Sequence, residues 1–299
     1  MRALIVAIFY AVFCAAAFAA GAHGTRDSLL VSTAWLADHL HDSHIVPLFV
    51  GDAQGYEQHI PGAVRLDFTS ISTPPGAGKL TLELPTPADI AEAFSKLGVG
   101  SDSHIVLYFG SDNWASRTTR VFLTLDSIGM GGNTSILDGG LGVWKSEGRP
   151  LTAEVPAVKP GQLTAHPQSD VIADLDYVRG NLHHAGVDII DARNPEYYTG
   201  ASTAPGKRAG HIPGASNLTF STLLDSSGKF KSSEALAGMF HDAGVKSGDR
   251  VVSYCHIGQQ ATVVYFVARY LGYDARLYDG SWEEWSAHAD LPAETGAQR

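Results

Sequence analysis

The 299-residue chain reads as an α/β protein of two similar halves, each a mostly parallel sheet flanked by helices. Three observations predict this. Short β-branched runs alternate with helix-length apolar stretches, a pattern that lays strands parallel with helices on both faces. Blocks of sequence recur in the same order, about 140 to 150 residues apart. Finally, the stretch from Val251 to Ala261 runs from a buried-strand pattern through a lone cysteine and a glycine-bearing loop into an apolar run, Ala261 to Leu271.

Composition narrows the function. A hydrophobic fraction of 44% and a charged fraction of 17% suit a folded globular chain long enough for two domains. The formal net charge is −10 and no Lys/Arg run occurs, which points away from nucleic acid. The 13 histidines form no H-x-x-x-H pair and the two cysteines no C-x-x-C, so no metal site and no cofactor are expected.

Residues 1–22 read as a leader outside the fold. Arg2 supplies a positive start, and Ala3 to Ala20 is an unbroken apolar run. Ala17-Phe18-Ala19 and Ala20-Gly21-Ala22 each resemble a cleavage site. The competing reading is an uncleaved anchor, since 18 apolar residues just span a bilayer. The small residues at the end of the run favour cleavage. That implies an exported protein, periplasmic in a bacterium, with no stable membrane insertion. Cys14 follows Phe13, where a lipid-modified cysteine needs a small residue. Cleavage leaves Cys255 as the single thiol, which in an oxidising compartment is a liability without a task.

The first half spans 27–149. It carries Phe49-Val50-Gly51-Asp52-Ala53, His59-Ile60-Pro61-Gly62-Ala63 and Asp138-Gly139-Gly140-Leu141-Gly142-Val143-Trp144. Residues 150–170 hold Pro150, Pro156, Pro160 and Pro167 and read as an extended connector. The second half, 171–299, repeats the blocks as Ile189-Ile190-Asp191-Ala192-Arg193, His211-Ile212-Pro213-Gly214-Ala215 and Asp279-Gly280-Ser281-Trp282-Glu283-Glu284-Trp285. This is duplication of a domain, not a short solenoid repeat. Strands are predicted in the second half at Asp188–Asp191, Arg250–Cys255 and Ala275–Tyr278. Helices are predicted at Ser233–Ala243, Ala261–Leu271 and Trp282–His288. Trp35, Trp282 and Trp285 read as core aromatics, and His211 as a structural residue of its turn.

Cys255 closes its strand at the carboxyl end, where parallel sheets place ligands. A helix N-terminus follows, with free N–H groups and a positive dipole end that favour an anion and therefore a thiolate. The alternative is a buried cysteine that packs as a small hydrophobe.

These residues resemble the two-domain rhodanese-type sulfurtransferases. Cys255-His256-Ile257-Gly258-Gln259-Gln260-Ala261 is similar to their C-x-x-G-x-x-A active loop. The stretch from Ala275 to Trp285 resembles their C-terminal signature, and the two H-I-P-G-A blocks their N-terminal one. The resemblance implies two tandem rhodanese-like domains with only the second catalytic. Aligning Tyr108 with Tyr254 puts Phe109 in place of Cys255, so the first domain is expected to be silent, its loop a vestigial turn in preference to a wall of the cleft carrying Trp114. The implied chemistry is attack by Cys255 on the sulfane sulfur of thiosulfate, then transfer from the persulfide to cyanide or a thiol. The implied partners are thus a small-molecule donor, thiosulfate or 3-mercaptopyruvate, and a thiophilic acceptor. Arg193 is the implied substrate-binding residue, Asp191 an anchor of local backbone, and Arg208 a further anion-binding candidate. His256 and the two glutamines leave the loop between the basic and neutral types, and the donor open. A persulfide carrier without turnover is the alternative. A phosphatase-type C-x-x-x-x-x-R loop is disfavoured, because Ala261 stands where its arginine would be.

Overall fold

The computed structural model describes residues 26–73, 80–110 and 115–297. The leader, Cys14 and Trp114 lie outside them.

In the first half the elements follow as α1 (Arg26–Leu29), β1 (Leu30–Val31), α2 (Thr33–His39), β2 (Ile45–Val50), β3 (Val64–Leu66), α3 (Pro87–Lys96), β4 (His104–Phe109), α4 (Ala115–Ser127), β5 (Thr134–Leu137) and α5 (Gly140–Ser146). In the second they are β6 (Ile172–Ala173), α6 (Leu175–Gly180), β7 (Val187–Asp191), α7 (Pro195–Thr199), β8 (Ser216–Asn217), α8 (Ser233–Asp242), β9 (Arg250–Tyr254), α9 (Ala261–Leu271), β10 (Asp274–Tyr278) and α10 (Ser281–Ala287). Local chemistry sets several boundaries. Thr86 caps α3 through the Asp89 N–H with Pro87 next to it, and Asp174 and Ser232 cap α6 and α8. Gly272, at φ 87°, ends α9.

The two sheets have the same order, β1-β5-β4-β2-β3 and β6-β10-β9-β7-β8, with every pairing parallel. The predicted strands and helices of the second half lie within a residue of those observed. Cys255 stands just past its strand. Short β6 and β8 carry too little pattern to be read from sequence.

Duplication reaches individual atoms. His59 stacks on Tyr56 and His211 on Tyr198, each at 3.8 Å between ring centres. Each histidine Nδ1 lies 2.7 Å from the carbonyl of its tyrosine. The Tyr108 hydroxyl accepts the Ile60 N–H as the Tyr254 hydroxyl accepts that of Ile212. Trp144 and Trp285 each donate from Nε1 to a proline carbonyl at 2.8 Å. Trp35 departs from expectation: it is half-buried at the edge of the first domain, stacked on His39.

One alignment made from sequence needs correction. Phe49 pairs with Tyr108 and Arg65, while Asp191 pairs with Tyr254 and Asn217. Phe49 therefore stands where Asp191 does and Gly51 where Arg193 does, two residues away from the sequence alignment. A shift of two preserves which face each residue points to, so apolar alternation could not reveal it.

The connector docks along the first domain. Gly161 N–H bonds to the Ser95 carbonyl, His166 N–H to that of Ile128, and Leu163 is buried. Each sheet has one private apolar layer on its outer face. The inner faces share a single core running through α4 and α9, where Phe122 meets Phe266 edge-on at 5.0 Å. α9 is apolar almost all round because nearly all of it is covered. No helix among the described residues is long and apolar enough to cross a membrane.

Candidate functional site

Cys255 follows β9 and begins a six-residue loop into α9. The side chain is fully buried. Loop carbonyls are drawn outward. Cys255 O accepts from Trp282 N–H (3.0 Å), His256 O from Glu283 N–H (2.9 Å), Gly258 O from Arg120 Nη1 (3.0 Å), and Gln259 O and Gln260 O from the first turn of α9. By contrast, no acceptor is found among the described residues for any N–H of 256–261. A loop with carbonyls bound outside and N–H groups unspent inside is a cradle for negative charge. Gly258, at φ 75°, makes the required turn, and a Cβ there would meet the Asp279 carbonyl at 2.8 Å.

Ser281 supports Cys255 from the neighbouring turn. Its hydroxyl accepts the Cys255 N–H at 3.2 Å and donates to the Tyr278 carbonyl at 2.9 Å. It does so from φ 52°, a left-handed conformation rare outside glycine. The equivalent residue of the first domain is Gly140, at φ 53°. A serine in the place of a repeat's glycine was the sequence signal for this residue, and sequence reasoning missed it.

Arg193 lies near enough to Cys255 for their charges to interact, but much of its guanidinium is already engaged. Nε and Nη2 bind the Asp191 carboxylate at 2.5–3.0 Å, and Nη2 also donates to Gly210 O at 2.8 Å. The group stacks over Trp282 at 4.8 Å and Tyr254 at 5.8 Å. No hydrogen bond from Nη1 is found among the described residues, and the side chain as a whole is 2% exposed. Burial works against the cation, but the bonds and charge of Asp191 prevail, and Arg193 holds its proton more firmly than usual. Asp191 Oδ1 also takes the Arg193 N–H at 2.9 Å, the backbone anchor anticipated for it.

His256 meets Tyr197 edge-on at 4.6 Å. Burial, with the Arg193 charge adding to it, lowers its pKa below the ordinary histidine value, and Asp191 opposes this. The shift favours the neutral ring at pH 7. Arg208 is placed elsewhere. Its three guanidinium nitrogens donate to the carbonyls of Ser286, Leu291 and Trp285 at 2.8–3.2 Å. It caps α10 rather than facing the loop.

The first domain contributes directly. From α4, Ser116 accepts Gln259 Nε2 at 3.2 Å, and the Thr119 hydroxyl lies 2.7 Å from that of Thr262. Arg120 reaches Gly258, Asp279 and Leu82 together. Thr81 binds Glu283, and Leu84 N–H binds Asp279. Where the second domain has Cys255 and Asp191, the first has two buried phenyl rings, Phe109 and Phe49. Among the described residues no cluster of His, Cys, Asp and Glu is arranged to hold a metal.

Comparisons with known proteins agree with this geometry. The model of the Rhodanese-like domain matches residues 32–147 and again 174–288. A protein of Mycobacterium tuberculosis (strain ATCC 25618 / H37Rv) named "Putative thiosulfate sulfurtransferase" is 32% identical over 290 residues, 91% of this chain and 99% of that protein. The "Sulfur carrier protein TtuD" of Thermus thermophilus is 30% identical, over 90% of this chain and 98% of its own length. The crystal structure of SseA from Escherichia coli, described as a 3-mercaptopyruvate sulfotransferase, superposes with a TM-score of 0.75 at 28% identity, over 86% of this chain and 99% of its own. With the family model matched in both halves and the two sheets built alike, the chain belongs to the rhodanese-like family, as a tandem of two such domains.

Proposed function

We propose that this protein is a sulfurtransferase that moves the sulfane sulfur of thiosulfate to cyanide or a thiol through a persulfide on Cys255. The observation that carries the reading is the loop around a lone cysteine whose N–H groups find no acceptor among the described residues, with the Arg193 charge acting on the cysteine. The Cys255 thiolate attacks the outer sulfur. The sulfur–sulfur bond to sulfite breaks, and sulfite leaves with the bonding pair. Cyanide then attacks the terminal sulfur and departs as thiocyanate, restoring the thiolate with no net redox change. The cradle stabilises the anion at each stage without reorganising.

A second reading, 3-mercaptopyruvate as donor, is favoured by charge. The neutral form of His256 is favoured by burial and the Arg193 charge, and much of the Arg193 charge is spent on Asp191. A donor with a single carboxylate asks less of such a site than a dianion. Comparison of loading rates with the two donors decides between them. Turnover that stops after a single transfer would instead mark a carrier, the role named for the Thermus relative.

Mass spectrometry after donor treatment tests the central step. Cys255 should gain one sulfur, and Cys255→Ser should lose transfer while remaining folded. Transfer persisting in purified Cys255→Ser would overturn the assignment.

A further inference from the structure

We infer that Arg120, from the domain without a nucleophile, is a positioning residue for the active loop of the other domain. The inference rests on the proposed function for the chemistry it serves.

Arg120 is buried in the interface and is 2% exposed. Nη1 donates to Gly258 O at 3.0 Å and to Asp279 Oδ1 at 2.5 Å, and Nη2 donates to Leu82 O at 2.5 Å. The three partners belong to three segments: the active loop, the turn entering α10, and a first-domain strap that also binds Glu283 through Thr81. Leu82 itself sits at φ 61°, outside the usual range for a branched side chain.

The bond to Gly258 has a directional consequence. In a planar trans peptide the carbonyl and the N–H point opposite ways. Holding Gly258 O outward therefore aims the N–H of the same peptide, that of Gln259, into the loop. Of the loop carbonyls with a partner, those of Cys255 and His256 are held by backbone N–H groups of the second domain, and those of Gln259 and Gln260 by the first turn of α9. The carbonyl at the tightest turn is held by a charged side chain from the first domain. A cation there also stabilises negative charge developing on the loop's inner side.

A plain clamp between domains would use the same contacts, so the test needs a readout that separates the two roles. Cys255 is fully buried. Loosening the interface would expose the thiol and speed its alkylation. Misaligning the cradle would withdraw hydrogen-bond donors from the reacting sulfur and slow alkylation. Iodoacetamide labelling of Cys255, read on its tryptic peptide at pH 7, makes the distinction without a sulfur donor. The double variant Arg120→Met/Asp279→Asn removes both charges and strands neither. It should label roughly fivefold to tenfold more slowly than wild type, the factor carried by one lost hydrogen bond. Arg120→Lys, which keeps the charge but not the fork, should recover part of the rate. Asp126→Asn, which disturbs the interface at Tyr265 and Arg269 instead, should label at the wild-type rate or faster. Unchanged or faster labelling of the double variant, or equal slowing in Asp126→Asn, overturns the inference. Failure of wild-type Cys255 to take up sulfur from either donor would sink the proposed function alone, because the labelling result does not depend on it.

Discussion

Ser281 shows how much of this site depends on single residues. A non-glycine residue in the left-handed region costs about 1–2 kcal/mol, and here it holds a hydroxyl under the Cys255 N–H. Ser281→Gly would relieve that strain and lose a hydrogen bond worth about 1 kcal/mol. Stability should therefore move by less than about 1 kcal/mol while sulfur loading slows. Urea denaturation and the loading rate, measured on the same preparation, check this; loading at the wild-type rate would remove Ser281 from the site. Arg193 shows the limit of reading a single residue from sequence. The family resemblance marked it as substrate-binding, but did not show that Asp191, two residues away, engages most of its guanidinium. Its truncation would leave a carboxylate buried without its partner, a loss of about 3–5 kcal/mol. Alanine at 193 therefore reports on folding as much as on substrate.

At the scale of elements, the β9–loop–α9 unit was largely legible. A short apolar strand, a cysteine, one glycine and a long apolar run have few other solutions. The α4 contribution was not legible, since Arg120 and Gly258 are 138 residues apart and no local pattern marks that contact. Nor was Arg208 readable: a guanidinium before a turn looks the same whether it meets an anion or caps a helix, and here it caps α10. Gly258 joins the legible and illegible parts. Gly258→Ala should cost about 1–2 kcal/mol for its left-handed backbone alone. Its Cβ would also press on the Asp279 carbonyl and on Arg120 Nη1, at 2.8 and 3.1 Å. Since about 1.4 kcal/mol is tenfold in rate, loading of Cys255 should fall tenfold or more. Stopped loading reactions analysed by mass spectrometry check this, and a variant that loads normally would show that the loop tolerates another path.

For the whole molecule, the two domains are related as copies but are not packed as independent bodies. Each keeps a private apolar layer on one face of its sheet, and the inner faces merge into one core through α4 and α9. That core encloses the polar network of Asp126, Tyr265 and Arg269, which is expensive to expose piecemeal. The first domain thus has a physical role whatever its chemistry: it covers α9, the helix that follows the Cys255 loop. The sequence revealed the duplication but not this fusion, because each amphipathic pattern is satisfied equally well within its own half. Phe266, 1% exposed, touches Phe122 of the first domain and Phe230 of the second. Phe266→Ala should lower stability by about 3–5 kcal/mol, the usual range for a buried phenylalanine. Because the residue belongs to both halves, the loss should appear as one shifted transition, with far-UV circular dichroism and tryptophan fluorescence moving together in urea. Tryptophans lie in both domains, among them Trp35 and Trp144 in the first and Trp282 and Trp285 in the second, so fluorescence samples each. Two separated transitions in the wild-type protein, with only the later or the earlier one moved by Phe266→Ala, would show that the domains unfold independently and that the shared core does not bind them into one cooperative unit.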